Sequence, residues 1–411
     1  MSQADQPLTI GVPRETLPGE RRVAVVPSTL RVLRKAGLNV VIEAGAGAEA
    51  GFPDAEYARQ EAMVVAERAE VFARAGVILQ VRAAGANPEA GREDFQRWRA
   101  GQTLIAACDP LSAPEPMTEL AEKGITVFAL DLVPRITRAQ SMDVLSSMAT
   151  ITGYKAVLLA ADALPRMFPM LMTAAGTITP ARVLIIGAGV AGLQAIATAR
   201  RLGAVVQAYD VRPDVKEQIE SLGGKFVQLD VQSGDAEGAG GYAQGMDEEF
   251  YRRQRAQLAQ VVAGCDVVIT TAAVPGKPAP LLITGQAVAA MKPGSVIVDL
   301  AAERGGNCEA TRPGETVVEQ GVTVMGPLNL PATVPYHASE MYSKNIAAFL
   351  LHLVKDGRMR LDRDDEIIRE TLATHAGEVR QSSLRVLLGL PPIVDAEPST
   401  SENVETERVS T

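Results

Sequence analysis

The sequence contains little cysteine and histidine, and it has no surplus of positive charge. Among its 411 residues are 3 Cys and 3 His, and the formal net charge is -9 at pH 7. The cysteines, at positions 108, 265 and 308, lie too far apart for a metal-binding spacing or a disulfide framework. We therefore expect free thiols, a reducing cytoplasm and no metal. Because phosphate neutralisation requires surplus Lys and Arg, we do not expect nucleic-acid binding.

Long apolar runs are also missing. No uninterrupted run reaches the ~20 residues that span a membrane. The longest candidate, "AVLLAADALPRMFPMLMTAAG", is interrupted by Asp162, Pro165, Arg166 and Pro169. The start, "MSQADQPLTIG", is polar and lacks the basic and apolar regions of a signal peptide. We therefore expect a soluble cytoplasmic chain that does not insert into a membrane.

What the sequence does contain is an alternation of short β-branched runs with longer helical patterns. Strand-like runs such as "LTIGVP", "VILQV" and "RVLIIGAG" alternate with helical segments such as "STLRVLRKAG". This order predicts an α/β fold, in which helices cover both faces of parallel sheets. Because one core rarely grows past roughly 250–300 residues, the length of the chain predicts two domains.

We predict two doubly wound parallel-sheet (Rossmann-like) domains, separated by a cleft and joined by long helices. Residues 1–145 together with 328–385 form the first, discontinuous domain, and residues 146–327 form the second. The joining helices are expected near 144–163 and 339–356.

Two segments lack apolar periodicity. One is the polar tail, 391–411, and the other is "QSGDAEGAGGYAQGMDEE", which follows the third strand of the second domain. Polar and glycine-rich segments cannot bury enough apolar surface to order themselves, so we predict that both are unstructured.

The segment "RVLIIGAGVAGLQAIATARRLGAVVQAYD" has the order of a dinucleotide-binding unit: strand, glycine-rich turn, helix, strand, acid. Gly187 permits the tight turn, Gly189 lets a pyrophosphate approach the backbone, and Gly192 lets helix and strand pack closely. Free N–H groups at the helix start favour phosphates.

Asp210 has the ~20-residue spacing of a ribose-binding acid, and such an acid favours NAD over NADP. Arg212 alternatively meets a 2′-phosphate, and a purely structural turn is the remaining alternative.

Groups that transfer protons are scarce. Most dehydrogenases that oxidise an alcohol or amine need a general acid or base, usually His, near the reacting carbon. We expect His352 to pack in an apolar helix, His375 to be solvated in a polar helix, and His337 either to start a helix or to face the cleft. Lys277 is either a turn lysine or a phosphate contact. Hydride transfer between two nicotinamides needs no proton carrier, only rings held at the right distance and angle.

The stretch "PRITRAQSMDVLSS" supplies a rigid fork and an amide that suit this task. Together with "GVPRETLPGERRVAVVP", "ITTAAVPGKPAP" and "MKPGSVIVDLAAERGGNC", it makes the chain resemble the NAD(H)-binding first domain, or α1 subunit, of proton-translocating nicotinamide nucleotide transhydrogenase. The resemblance runs to about residue 355. The family also includes alanine dehydrogenase.

The resemblance implies roles for individual residues. Arg135, Gln140 and Asp143 are the expected catalytic residues, which bind NADH and orient its dihydronicotinamide toward NADP(H) on a partner subunit. Ser146 is expected to contact the nicotinamide ribose, and Tyr242 to close over bound nucleotide. The further cofactor contacts that the fingerprint and the resemblance predict are Gly187, Gly189, Val190, Gly192, Asp210, Val211, Arg212, Gly241, Thr271 and Ala273.

Alanine dehydrogenase differs at three catalytic positions. It carries a substrate-binding Lys and a catalytic His in its first domain, and a later catalytic Asp. The resemblance places Arg82, Ala107 and Glu303 at or near these positions. Loss of the proton-transferring His disfavours alanine oxidation. The segment "TLIAACDP" around Ala107 also departs from the transhydrogenases, so no function is assigned to it.

The resemblance therefore implies a Re/Si-specific NAD(P)+ transhydrogenase subunit that passes hydride from NADH to NADP+ on a partner subunit. Membrane-spanning subunits would couple this step to proton translocation. The chain would form a homodimer and lie peripherally at the inner face of the plasma membrane. Two alternatives stay open: an NAD-dependent alanine dehydrogenase and a non-catalytic NAD(H)-binding sensor.

Overall fold

The computed structural model describes residues 8–229, 248–273 and 276–393. The strands in these ranges form two large sheets and two short hairpins. In chain order they are β1 Thr9–Val12, β2 Asn39–Glu43, β3 Met63–Val65, β4 Val77–Arg82, β5 Thr103–Ala107, β6 Thr126–Ala129, β7 Leu171–Thr173, β8 Gly176–Ile178, β9 Arg182–Ile186, β10 Val205–Tyr209, β11 Lys225–Phe226, β12 Val267–Thr270, β13 Val296–Asp299, β14 Thr316–Glu319, β15 Val322–Met325, β16 Val354–Lys355, β17 Arg358–Met359, β18 Leu372–His375 and β19 Glu378–Val379. The α-helices there are α1 Pro27–Lys35, α2 Asp54–Arg59, α3 Arg68–Arg74, α4 Glu115–Glu122, α5 Val144–Ala163, α6 Val190–Arg201, α7 Lys216–Ser221, α8 Glu248–Val262, α9 Gly285–Ala289, α10 Pro335–Leu353, α11 Glu366–Thr371 and α12 Ser382–Leu387.

The first sheet has eight strands in the order β19-β18-β6-β5-β4-β1-β2-β3. Its six N-terminal strands are parallel, and the order in which successive strands are added reverses between β1 and β4, which is the doubly wound arrangement. Strands β18 and β19 add antiparallel pairs at the β6 edge. The C-terminal part of the chain therefore returns to the first sheet.

The second sheet has seven strands in the order β11-β10-β9-β12-β13-β15-β14. All neighbouring pairs are parallel except β14 with β15. The order again switches direction, here between β9 and β12. The predicted fold class, α/β with two doubly wound parallel sheets, is confirmed.

Each sheet is buried on both faces. Successive side chains of a strand point to opposite faces, so Leu79 belongs to one apolar cluster and Ile78 to another. In the second sheet, Ile185 and Ile186 divide in the same way. This double burial explains why the strands read as continuous apolar runs rather than alternating ones.

Helices α5 and α10 join the sheets, as predicted. The Asp143 carboxylate caps α5 by accepting from the Ser146 N–H, and Pro165 follows soon after its end. Pro335 begins α10, whose buried Tyr342 and Phe349 pack in the first sheet's core. By length and composition, α5 is the one described helix that could cross a membrane. It packs against α6 and α10, which accounts for its apolar residues. The domain limits 145/146 and 327/328 remain our proposal.

Some sequence expectations about elements are wrong. His375 ends strand β18 and does not lie in a helix; its ring nitrogen Nδ1 is 3.0 Å from Thr126 Oγ1. Burial lowers the pKa of His375, and nearby Arg363 and Arg380 lower it further.

Short edge strands such as β3 and β14, and the β7–β8 hairpin, have too few residues to show a hydrophobic periodicity in the sequence. Their stability comes from pairing with the neighbouring strand.

The crossing of α5 and α6 requires a glycine. A Cβ built on Gly153 would overlap the backbone oxygen of Ala191. We expect Gly153→Ala to lower the free energy of unfolding by about 1–3 kcal/mol, the usual range for overpacking, measured by urea denaturation. Gly285→Ala is the control, because its Cβ would meet nothing closer than 3.4 Å. Equal stability of the two variants would contradict the close crossing.

Candidate functional site

The carboxyl ends of strands from both sheets meet at one cavity of about 590 Å³. Its lining includes Arg82 and Ala107, which end β4 and β5, Asp131, which follows β6, and Gly187 and Thr271, which follow β9 and β12. Ligands of doubly wound proteins bind outside the carboxyl ends of the strands, where the strand order reverses. The cavity therefore lies where a dinucleotide is expected.

The glycine-rich turn is as tight as the sequence predicted. Gly187 has φ +98°, a conformation that favours glycine, and a Cβ there would overlap Thr271 Oγ1. The Thr271 hydroxyl donates to Gly187 O at 3.0 Å, so β9 and β12 are tied at the switch point. A Cβ on Gly192 would overlap Gly187 O. Both positions leave no room for a side chain.

Gly189 has a different role. A Cβ at Gly189 would meet no atom within 4 Å, so space is open in front of its backbone. Helix α6 begins at the next residue, Val190, and no side chain caps its first N–H groups. Both residues line the cavity. Open backbone at a helix N-terminus is suited to phosphate oxygens.

Asp210 lies at the end of β10, and its carboxylate is fully engaged. It accepts from Ala188 N at 2.7 Å and from Arg212 N at 2.9 Å. The Arg212 guanidinium donates through Nε and Nη2, both at 2.9 Å. These bonds use the roughly four lone-pair positions of a carboxylate. A ribose hydroxyl must therefore share an oxygen with Arg212 or displace it.

The turn that carries the expected nicotinamide contacts is a short 3-10 helix, Thr137–Met142. Arg135 precedes it and lines the cavity, whereas Gln140 is exposed and lies outside the lining. Asp143 and Ser146 bond to each other, with the Ser146 hydroxyl donating to the carboxylate at 2.5 Å. These two side chains therefore stabilise the start of α5, where Val144 and Leu145 line the cavity.

The structure thus brings together most of the expected contacts and leaves others outside the cavity wall. Those that line it are Arg135, Gly187, Gly189, Val190, Asp210, Val211, Arg212, Thr271 and Ala273. Those that do not are Gln140, Asp143, Ser146 and Gly192. Gly241 and Tyr242 lie outside the described residues.

Histidine and lysine do not contribute to the described lining. His337 is exposed in the first turn of α10, as expected for a helix-start residue. His352 lies 3.3 Å from the Asp365 carboxylate, and Lys277 is exposed. Ala107, which the resemblance places near a catalytic His of alanine dehydrogenase, lines the cavity.

The carboxylates that line the cavity all have partners. Asp109 pairs with Arg304 at 3.1 Å, in the segment to which the sequence assigned no function. Asp131 accepts from the backbone N–H groups of Cys108 and Asp109 at 2.6 and 2.9 Å. Glu303 accepts from the Asn329 N–H at 2.9 Å and lies 3.5 Å from Arg82. Burial raises the pKa of Asp131 despite its two N–H donors.

A buried charge network that the sequence did not predict forms part of the wall. Arg22 donates to both oxygens of Glu20, at 2.7 and 2.5 Å, and to Asn329 Oδ1 at 3.0 Å. Asn329 Nδ2 returns a bond to Glu20 at 2.9 Å. Burial alone would raise the pKa of Glu20, but the bonds and charge of Arg22 lower it to about 2. The motif "GERR" is the local signal; its partner lies 307 residues away.

Glu15 lies behind the wall. Its carboxyl accepts from Val81 N at 2.7 Å and Arg82 N at 3.1 Å, and it does not line the cavity. Burial, followed by the charge of Glu20, raises its pKa to about 8. Tyr342 does reach the cavity, but its hydroxyl donates to Gln80 O at 2.9 Å, and burial raises its pKa.

Comparison with protein families covers both sheets. Residues 11–152 match the alanine dehydrogenase/PNT N-terminal domain, and residues 156–382 match the alanine dehydrogenase/PNT C-terminal domain. The chain belongs to the alanine dehydrogenase/PNT family.

Relatives within this family carry the transhydrogenase name. NAD(P) transhydrogenase subunit alpha of Cereibacter sphaeroides is 46% identical over 376 residues, which cover 90% of this chain and 71% of the relative. The first part of the same subunit from Rhodospirillum rubrum is 44% identical over 92% of this chain and 99% of the relative. A solved transhydrogenase from Sinorhizobium meliloti superposes with a TM-score of 0.80 and 44% identity, over 90% of this chain and 99% of that chain.

Asp210 gives the clearest test of the site. We expect Asp210→Ala to weaken NADH binding by about 10-fold or more, because a hydrogen bond to a charged group contributes roughly 1.5–3 kcal/mol. Titration calorimetry measures the affinity. Asp214→Ala, an exposed carboxylate on the following turn, is the control and should bind NADH normally. An unchanged affinity in Asp210→Ala would contradict the ribose assignment.

Proposed function

We propose that this chain is the NAD(H)-binding subunit of a Re/Si-specific, proton-translocating NAD(P) transhydrogenase. It transfers hydride from NADH to NADP+ bound on a partner subunit, and membrane-spanning subunits couple the transfer to proton translocation. The observation that carries the proposal is a dinucleotide cavity whose described lining holds no His or Lys and whose carboxylates each have an arginine or backbone N–H partner.

The chemistry of the wall favours transfer between two nicotinamides. An amino-acid dehydrogenase must remove a proton from its substrate, and a candidate base must reach that proton at hydrogen-bond distance. Ala107, at the position that the resemblance places near a catalytic His, has a methyl side chain that cannot accept a proton. Ring-to-ring hydride transfer balances without a proton, since one ring gives H⁻ and the other accepts it. Protein groups then contribute by orienting the rings.

Within this proposal, NADH lies along the cavity with its phosphates at the Gly187 turn and its adenosine ribose near Asp210. The nicotinamide end lies toward Arg135, Gln140 and Asp143, which orient the ring. Exposure of Gln140 fits this role, because the second ring arrives from a partner outside the chain. Ser146 contacts the nicotinamide ribose through the hydroxyl that now bonds to Asp143.

The homodimer and the membrane location belong to the same proposal. Hairpin β7–β8 carries Met172, which is 78% exposed, and Ile178, which is 41% exposed. Met170, just before the hairpin, is 57% exposed. Adjacent exposed apolar residues mark interaction surfaces, and a second copy of the chain would cover them. The name of the relatives, subunit alpha, supports the presence of other subunits, and we place the attachment to them at the inner face of the plasma membrane.

A deuterium-transfer assay tests the function. The chain is mixed with deuterium-labelled NADH, NADP+ and an NADP-binding domain from a transhydrogenase, and mass spectrometry follows the label. We expect the deuterium label to appear in NADPH. In separate experiments with the chain alone, we expect alanine not to reduce NAD+ and sedimentation to show a dimer. Alanine-dependent reduction would favour the dehydrogenase alternative, and binding without transfer would favour the sensor.

Gln140 tests the geometric role of the turn. We expect Gln140→Asn to slow hydride transfer by about 10- to 100-fold, because a small misplacement of reacting groups costs that much, and to leave the NADH affinity nearly unchanged. Stopped-flow transfer and calorimetry give the two values. Gln218→Asn, an exposed amide on α7, is the control. Equal losses in rate and affinity would show that Gln140 is only a binding contact.

A further inference from the structure

Two side chains outside the cavity hold the turn that carries Gln140. From α10, Asn345 Nδ2 donates to Ser141 O at 2.8 Å. From the segment that follows α10, the Asp365 carboxylate accepts from Arg138 Nη1 at 3.0 Å. Ser141 and Arg138 lie one residue after and two residues before Gln140. The two bonds therefore bracket the exposed amide.

The turn is also fixed through its buried side. Ala139 and Met142 are 0% and 7% exposed and belong to the core of the first sheet. Side chains 139 and 142 face inward while Gln140 and Ser141 face solvent. The position of the Gln140 backbone thus depends on contacts from behind, because its side chain makes no hydrogen bond to the described residues.

Asn345 is an unfavourable choice for stability alone. The residue is 7% exposed, and its Oδ1 has no hydrogen-bond partner among the described residues. An unpaired buried acceptor costs free energy that an apolar residue of the same shape would avoid. An apolar residue would avoid that cost but could not donate to Ser141 O. The one bond of Asn345, to Ser141 O, is what the amide provides.

Asp365 has two functions that can be separated. Its Oδ1 caps α11 by accepting from Ile367 N at 2.8 Å, whereas its Oδ2 faces Arg138 and, at 3.3 Å, His352. Burial raises its pKa, but Arg138 and the N–H donors of α11 lower it, so the carboxylate stays charged. The Arg138 side chain is 60% exposed, so this second anchor is the weaker one.

We propose that Asn345, with Asp365 as a weaker second anchor, is a positioning residue for hydride transfer, acting on the nicotinamide through the Gln140 turn. The proposal rests on the proposed function. Neither side chain touches the nucleotide cavity, so neither should contribute to NADH affinity. Both act by limiting how far the turn moves.

Asn345→Leu tests the proposal. We expect hydride transfer to slow by about 10-fold and the NADH dissociation constant to change by less than about 2-fold. We expect Tm to change little, because the variant removes both the unpaired Oδ1 of Asn345 and the donor to Ser141 O. Asp365→Asn keeps a helix cap, since Asn is also a good cap, and should slow transfer by about 2- to 3-fold. The emission of bound NADH should change in Asn345→Leu, since it reports the surroundings of the ring.

Ser343→Ala is the matched control on the same helix. Its buried hydroxyl bonds to Val26 N and Thr29 Oγ1, at 3.0 and 2.7 Å, away from the turn. We expect a lower Tm with normal transfer and normal NADH emission. This opposite pattern separates a structural role from a positioning role.

Each outcome decides between the claims. Suppose that the wild-type chain transfers hydride and that Asn345→Leu has the same transfer rate and the same NADH emission. This result overturns the positioning role and leaves the proposed function unaffected. A parallel fall in Tm, affinity and rate also overturns it, because the residue is then structural. A wild-type chain that transfers no hydride overturns the function, and the NADH emission of the variant still decides whether Asn345 positions the ring.

Discussion

The convergence of two parallel sheets on one cavity constrains everything else in this protein. In both sheets the strand order reverses beside the first strand. The carboxyl ends of β4 and β5 line the same cavity as those of β9 and β12. Close backbone approach holds the second of these switch points together, where Gly187 leaves no space for a Cβ beside Thr271. Helix α5 packs closely on α6 through Gly153 and also packs on α10, so it connects the second sheet to the first. The dinucleotide site therefore follows from backbone geometry before any charged side chain contributes.

Charge pairing gives the cavity its chemical character. Arg82 lies near Glu303, Arg212 holds Asp210, and Arg304 holds Asp109. Paired carboxylates are poor proton acceptors, since abstraction would require breaking the pair. Three of the four carboxylates in the described lining have an arginine beside them, and the fourth, Asp131, accepts from two backbone N–H groups. We propose that this wall suits a transhydrogenase subunit better than an alanine dehydrogenase, which must remove a proton from its substrate.

Local patterns in the sequence were enough to predict part of this arrangement. The fingerprint located Gly187, Gly189 and Asp210, because turn, helix start and strand end are determined by nearby residues. The bond between Asp210 and Arg212 was not predicted, since the same two residues also fit a phosphate contact. Strand β18 was missed because four residues show no periodicity and gain stability from pairing with β6.

Contacts between distant parts of the chain were beyond sequence reasoning. Asn345 and Ser141 are separated by 204 positions, and Arg22 and Asn329 by 307. Neither pair has a spacing or composition that marks it. The first becomes meaningful only when α10 is seen to pack behind the Gln140 turn, and the second only when the two sheets are seen to share a wall.

The most direct test of the account is a crystal structure of the chain with NADH bound. The account predicts that the nicotinamide lies at the Arg135–Asp143 end of the cavity, with its reactive carbon open to a docking partner and no side chain placed to take a proton from that carbon. A nicotinamide enclosed within the protein, with its reactive carbon beside a carboxylate or histidine able to take a proton, would contradict it.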